Sequence, residues 1–232
     1  MRMNYHNQGQ YSAMSEGFMS KVYAWMCAGL TTTAAVAYYL GYNKALMVKL
    51  SSGFGPLLLL LLAQLGIIFY LSANIQKMSY VTAGALYIIF TGLMGVSIAP
   101  VQFVYTEASI LNVFITASVM FIVMAIYGWV TKSDLSSMGN LLFMGLIGLI
   151  VAGLVNMFFM SSMFSMVISA CGVGIFALLT AYDVQRLKHF SQQVIASPED
   201  AGRMAIMGAI QLYLNLINLF MYLLQLFGER RD

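Results

Sequence analysis

Seven stretches of the chain, at about 22–42, 54–73, 81–101, 108–130, 138–159, 163–182 and 205–227, are apolar over enough residues to cross ~30 Å of hydrocarbon as helices. Lipid offers no partners to free backbone groups, so such stretches fold as helices whose hydrogen bonds are internal. Nothing in them alternates as a barrel strand would. The sequence predicts an all-α integral membrane protein with seven transmembrane helices in one domain. Only 8% of the residues are charged and 61% are hydrophobic, with a mean hydropathy of +0.83. A soluble domain carries roughly 25% charge.

Residues 1–21 read as a polar N-terminal tail, 22–228 as the helical domain and 229–232 as a short charged end. The first apolar run is too long for a signal-peptide core and has no convincing cleavage site, so the first span is expected to be retained. Pro56 and Pro100 stand at the ends of spans, where proline is tolerated, and Pro198 lies in the longest connection. Seven Lys and Arg residues (Arg2, Lys21, Lys77, Lys132, Arg186, Lys188 and Arg203) fall on the N-terminal side, against Lys44, Lys49, Arg230 and Arg231 on the other. That bias predicts a cytoplasmic N-terminus and an outside C-terminus. Losing one span would flip the C-terminus. Cys27 and Cys171 lie inside apolar stretches and do not indicate a disulfide framework. The net charge of +3 is spread out, with no basic run suited to nucleic acid.

The last span carries a polar stripe. Gln211, Asn215, Asn218, Tyr222 and Gln225 are spaced four, three, four and three, which stacks them on one helix face. Facing lipid they would be costly, so this helix is expected at the centre with the stripe turned inward. Two readings stand: hydrogen bonding between helices, or the lining of a hydrophilic path. Small residues at Gly92 and Gly95, at Gly145, Gly148 and Ala152, and at Gly172 and Gly174 are expected to let helices approach closely. The nineteen methionines show no clustered motif and read as fillers of apolar gaps.

Catalysis finds little support. His6 and His189 lie outside the spans, and no HExxH motif, carboxylate pair within the spans or phosphate loop is present. Glu107 reads as an acidic residue at a helix start. The chain is read as not an enzyme.

Between Glu107 and Asp183 the only acidic residue is Asp134, in a loop. A carboxylate such as Asp183 at the edge of hydrocarbon needs partners or a task. One reading makes it interfacial and paired with Arg186, three positions on. The other makes it a titratable gate at the cytoplasmic mouth of a cavity.

Several longer motifs occur in order: Ile75-Gln76-Lys77-Met78-Ser79, Val104-Tyr105-Thr106, Tyr127-Gly128 and Thr131-Lys132-Ser133-Asp134-Leu135-Ser136. They continue with Leu142-Phe143-Met144-Gly145-Leu146-Ile147-Gly148, Thr180-Ala181-Tyr182-Asp183-Val184-Gln185 and Leu212-Tyr213-Leu214-Asn215-Leu216-Ile217-Asn218-Leu219-Phe220. Through these motifs nearly the whole chain resembles the bacterial branch of the Bax inhibitor family of seven-span membrane proteins. The resemblance implies six helices around a central seventh, in the bacterial inner membrane. It implies a pH-sensitive calcium leak, no cofactor beyond transient calcium, and the lipid bilayer as surroundings. Eukaryotic members protect against cell death. Some bacterial relatives resemble substrates or modulators of a membrane-bound AAA protease, which gives a second reading. In that reading the chain is a non-conducting stress-response regulator that binds its partner through the polar tail.

In the family, the aspartate matched by Asp183 shares a proton with a second aspartate in the last helix, and their ionisation governs closure of the cytoplasmic end. Here that second position is Asn215, and Gln225 stands where close relatives often carry a basic residue. Two carboxylates in contact cannot both ionise comfortably. An asparagine amide can donate or accept, but it cannot titrate. Any pH gate at Asp183 and Asn215 is expected to be weakened or shifted. Calcium binding at Asp183 is expected to be weak as well, since calcium takes six to eight oxygens.

Overall fold

A computed structural model describes residues 3–43, 53–193 and 198–231. The elements are α1 (Met3–Tyr42), α2 (Phe54–Asn74), α3 (Tyr80–Ile98), a single turn α4 (Val101–Val104), α5 (Glu107–Val130), a 3-10 turn (Ser136–Met138), α6 (Gly139–Phe159), α7 (Ser162–Gln193) and α8 (Pro198–Phe227). Among the described residues the extended pairing is limited to one antiparallel bridge, Tyr105 to Arg230. The chain is an all-α membrane protein.

Among the described residues six helices are long and apolar enough to cross a membrane, and α1 is not one of them. Its threonine run Thr31–Thr33 and the pair Tyr38 and Tyr39 dilute its apolar character. The last helix is the most enclosed of the six, with 67% of its apolar 18-residue stretch buried against 33% or less for the others.

Helix lengths depart from the apolar runs at three places. α1 begins at Met3, so the expected polar tail is helical from that residue on, and Phe18 and Met19 within it are buried. Phe18 meets Phe190 with ring centroids 6.2 Å apart. α7 continues past residue 182 to Gln193, so Asp183 sits within a helix and not at its end. α8 starts at Pro198, followed by Glu199 and Asp200, a start suited to a helix N-terminus. Of the charge tally, Arg2, Lys44 and Lys49 lie outside the described residues.

The chain packs as two compact units, Met1–Val104 with Phe190–Tyr213, and Tyr105–His189 with Leu214–Asp232. In the first, Gly95 faces the Thr33 carbonyl and Val36, the close approach of α3 to α1 that its spacing predicts. Gly92 only grazes Thr32 at 4.0 Å. One buried polar chain runs in series: Thr33 Oγ1 donates to the Thr91 carbonyl at 2.8 Å, so the Tyr213 hydroxyl, 2.6 Å away, must donate to Thr33. Arg203 donates to the carbonyls of Gln76 and Met78 and pairs with Asp200, fixing the α2–α3 connection to the start of α8.

The Tyr213–Thr33 chain makes an ordered pair of expectations. Tyr213→Phe removes one bond and leaves no donor stranded, a loss of about 1 kcal/mol. Thr33→Val leaves the buried Tyr213 hydroxyl without its acceptor, which costs about 2 kcal/mol. Thermal unfolding in detergent should rank Thr33→Val as the less stable variant.

In the second unit, Thr106 caps α5 by accepting from the Ser109 N–H at 3.3 Å, and Glu107 follows in the first turn as expected. The charged C-terminal end folds back on this start. Thr106 N–H donates to the Glu229 carbonyl at 3.0 Å, Glu229 N–H donates to Ser109 Oγ at 2.9 Å, and Arg231 pairs with Glu107 at 3.2 Å. Gly145 lies 3.0 Å from Ile175 and Gly172 lies 2.6 Å from the Tyr222 ring, measured from where a Cβ would stand. Gly148 and Gly174 meet nothing within 4 Å, so for these two the packing expectation does not hold.

Candidate functional site

The stretch of α7 around Asp183 works on two faces. Ala181, Tyr182, Gln185 and Lys188 fall on one side of the helix, while Thr180, Asp183, Val184 and Leu187 fall on the other. On the first side, a Cβ on Gly128 would overlap the Ala181 carbonyl, so α5 crosses α7 with backbone against backbone. The Tyr182 ring covers Gly139. Gln185 Oε1 accepts from the Leu135 N–H at 2.8 Å, and its Nε2 donates to the Ser133 carbonyl at 2.8 Å. Lys188 Nζ donates to the Trp129 carbonyl at 2.6 Å and stands 5.0 Å from that ring's centroid. It caps the C-terminus of α5, where a cation is favoured.

On the second side lies the pairing the sequence raised. Asn215 Nδ2 donates to Asp183 Oδ2 at 2.7 Å, and the two residues are 5% and 8% exposed. They are brought together by two helices, α7 and α8, across 32 positions of sequence. Their helix neighbours Thr180, Val184, Leu216 and Leu219 are buried as well. Thr180 directs its hydroxyl to the Phe176 carbonyl at 2.8 Å, which satisfies it without involving Asp183. Arg186 is exposed and, among the described residues, forms no ion pair with Asp183. The short Asp183 side chain reaches across to α8 and leaves the long Arg186 free to reach water.

The rest of the stripe divides by chemistry. Asn218 Nδ2 donates to the Leu214 carbonyl of its own helix at 2.8 Å. Tyr222 stacks on Phe176 at 5.8 Å and 27°. Ser169 Oγ lies 2.8 Å from Gln225 Oε1 and 2.9 Å from the Ser165 carbonyl, and its single hydrogen serves one of them at a time. Gln211, Asn218 and Tyr222 are half-buried and Gln225 is exposed, whereas Leu212, Leu216, Leu219, Leu223 and Leu224 are buried. The polar face is therefore the more accessible face of an otherwise enclosed helix.

Outside the spans, Ser136 donates to the Asp134 carboxylate (from N–H to Oδ1 at 2.9 Å) and holds that carboxyl below the usual carboxylate range. Asp134 is ionised throughout the physiological range, so a pH response near neutrality must come from another group.

Among the described residues no three His, Cys, Asp or Glu side chains converge as metal ligands. Around Asp183 the hydrogen bond described sets its carboxylate beside the Asn215 amide.

Gln185, Lys188 and Gly128 lie in or beside the motifs that carried the resemblance, yet nothing in the sequence points to their contacts. Two of them bind backbone groups, which have no residue-type signature. The third is a glycine in a chain of 20 glycines.

A family model described as "Inhibitor of apoptosis-promoting Bax1" matches residues 15–232. Inner membrane protein YbhL of Escherichia coli (strain K12) is 41% identical over 215 residues, covering 92% of each chain. A protein of Borreliella burgdorferi is 39% identical over 215 residues, covering 93% of each, and one of Deinococcus radiodurans is 42% identical over 215, covering 93% of this chain and 91% of its own. With the match running from residue 15 to the last residue, and helices apolar enough to span a bilayer, the chain belongs to the Bax inhibitor family of membrane proteins.

Proposed function

We propose that the protein is a pH-modulated cation leak of the bacterial inner membrane, passing calcium, with the Asp183–Asn215 contact as its closure. The observation that carries this reading is the buried hydrogen bond between a carboxylate on α7 and an amide on α8. An interfacial aspartate would turn to Arg186 or water; this one turns inward. The accessible polar face of α8 supports the same reading, since within the second unit Asn218, Tyr222 and Gln225 can line a hydrophilic path. The E. coli relative's name supports the inner membrane as the location. The Lys and Arg bias supports a cytoplasmic N-terminus, with the C-terminal part of α7 on that side.

With one ionisable group at the contact, the closure titrates as a one-proton event. Asn215→Asp restores a second group and should give a two-group pH profile. Calcium flux into proteoliposomes, recorded from acid to alkaline pH, tests this. Asp183→Asn should flatten the profile and Asn215→Asp should reshape it. A profile unmoved by both substitutions would remove Asp183 and Asn215 from the closure.

A further inference from the structure

The amide of Gln185 lies two residues beyond Asp183, which turns it about 200° around the helix, to the face opposite the Asn215 contact. It makes two bonds with one peptide stretch, accepting from Leu135 N–H and donating to the Ser133 carbonyl, each at 2.8 Å. Gln185 is 5% exposed and Leu135 is 7% exposed. The side chain thus replaces the backbone partner that a turn or strand would supply to this loop. A carboxylate there could serve only Leu135, and an aliphatic side chain could serve neither. One turn further on, Lys188 ties the end of α5 to the same face. The loop between α5 and α6 is held to the helix that carries Asp183.

We infer that Gln185 is the positioning residue that couples the Asp183–Asn215 contact to the Thr131–Leu135 loop, so that a change on one face of α7 is reported on the other. The inference rests on the gate reading above and adds its output. The helix is a stiff element between the two contacts, and the clamp holds the loop in register with it. If α7 shifts when the Asn215 contact is altered, the loop shifts too. Without the clamp the loop follows its own fluctuations.

The test uses the full chain in lipid nanodiscs with the exposed Cys27 and Cys171 replaced by serine. A single reporter, Ser133→Cys, is added at an exposed side chain whose backbone bonds stay intact. Maleimide labelling at this position is then timed at alkaline pH, where Asn215→Asp sets two carboxylates against each other. With Gln185 in place, Asn215→Asp should change the labelling rate severalfold. Gln185→Ala should speed basal labelling by roughly tenfold, since two hydrogen bonds restraining the loop are lost. In that background Asn215→Asp should make no further difference. Gln185→Glu keeps the Leu135 bond and loses the Ser133 bond, so it should give a partial response; it carries the test if Gln185→Ala does not fold. An Asn215→Asp response undiminished by Gln185→Ala overturns the coupling. So does a calcium flux altered by Asn215→Asp while labelling stays constant, a result that leaves the gate reading standing. Flux unmoved by Asn215→Asp and Asp183→Asn removes the gate reading itself.

Discussion

Gly128→Ala is expected to destabilise the protein by about 2 kcal/mol, although the same change in an open helix position stabilises. Two effects of opposite sign compete. Alanine is the better helix former by up to about 1 kcal/mol, which favours the variant. Against this, its methyl group would overlap the Ala181 carbonyl oxygen and approach the Ala181 carbon and Cα atoms to 2.9 Å. Those atoms are backbone in the middle of α7, so no rotamer change can clear them. The two helices must separate, and overpacking of that kind costs about 3 kcal/mol. Packing wins. The control is Gly148→Ala in α6, where nothing lies within 4 Å and only the propensity gain operates. Thermal unfolding of the purified variants should lower the midpoint for Gly128→Ala and leave it level or raised for Gly148→Ala. Equal stability of the two would contradict the backbone contact.

The two glycines also mark what a sequence of this kind discloses. Apolar length locates a bilayer span, and it locates those of α2, α5 and α6 to within a residue or so. It does not locate a helix that runs on beyond the bilayer. After Asp183 the pattern changes to an amphipathic one, with Val184, Leu187 and Ser191 buried and Arg186 and His189 exposed. That is still helical, but a test for continuous apolarity stops there. The start of α1 escapes for the same reason.

Asp183 and Asn215 are legible for different causes. The carboxylate stands out because charge is rare in hydrocarbon. The asparagine stands out because it belongs to a periodic stripe, and the resemblance joins the two. Gln185 and Lys188 carry no comparable signal. Their partners are the carbonyls of Ser133 and Trp129 and the N–H of Leu135, and only the folded path of the loop brings those groups near. Spacing among glycines likewise cannot separate Gly128 from Gly148, since what matters is the atom on the facing helix.

Asn215→Leu is expected to cost about 3 kcal/mol, because it removes the hydrogen bond observed at a carboxylate that is 8% exposed. Leucine suits this stretch of α8, whose neighbours Leu216, Ile217 and Leu219 are buried, so a volume mismatch contributes little. Most of the loss comes from the stranded Asp183 carboxyl. It must stay charged without a donor, hold a proton, or pull water into the contact, and each option is unfavourable. The double variant Asp183→Leu with Asn215→Leu separates this cost from packing. Replacing both polar partners by apolar groups is often close to neutral, so the double variant should be more stable than Asn215→Leu alone. Unfolding measurements on both single variants and the double variant give the coupling directly. Strictly additive losses would mean that the bond contributes nothing of its own. The same double variant divides structure from function: it should fold and insert, and under the leak proposal its calcium flux should no longer respond to pH. A folded double variant with an intact pH profile would leave the Asp183–Asn215 bond as a helix–helix fastening and nothing more.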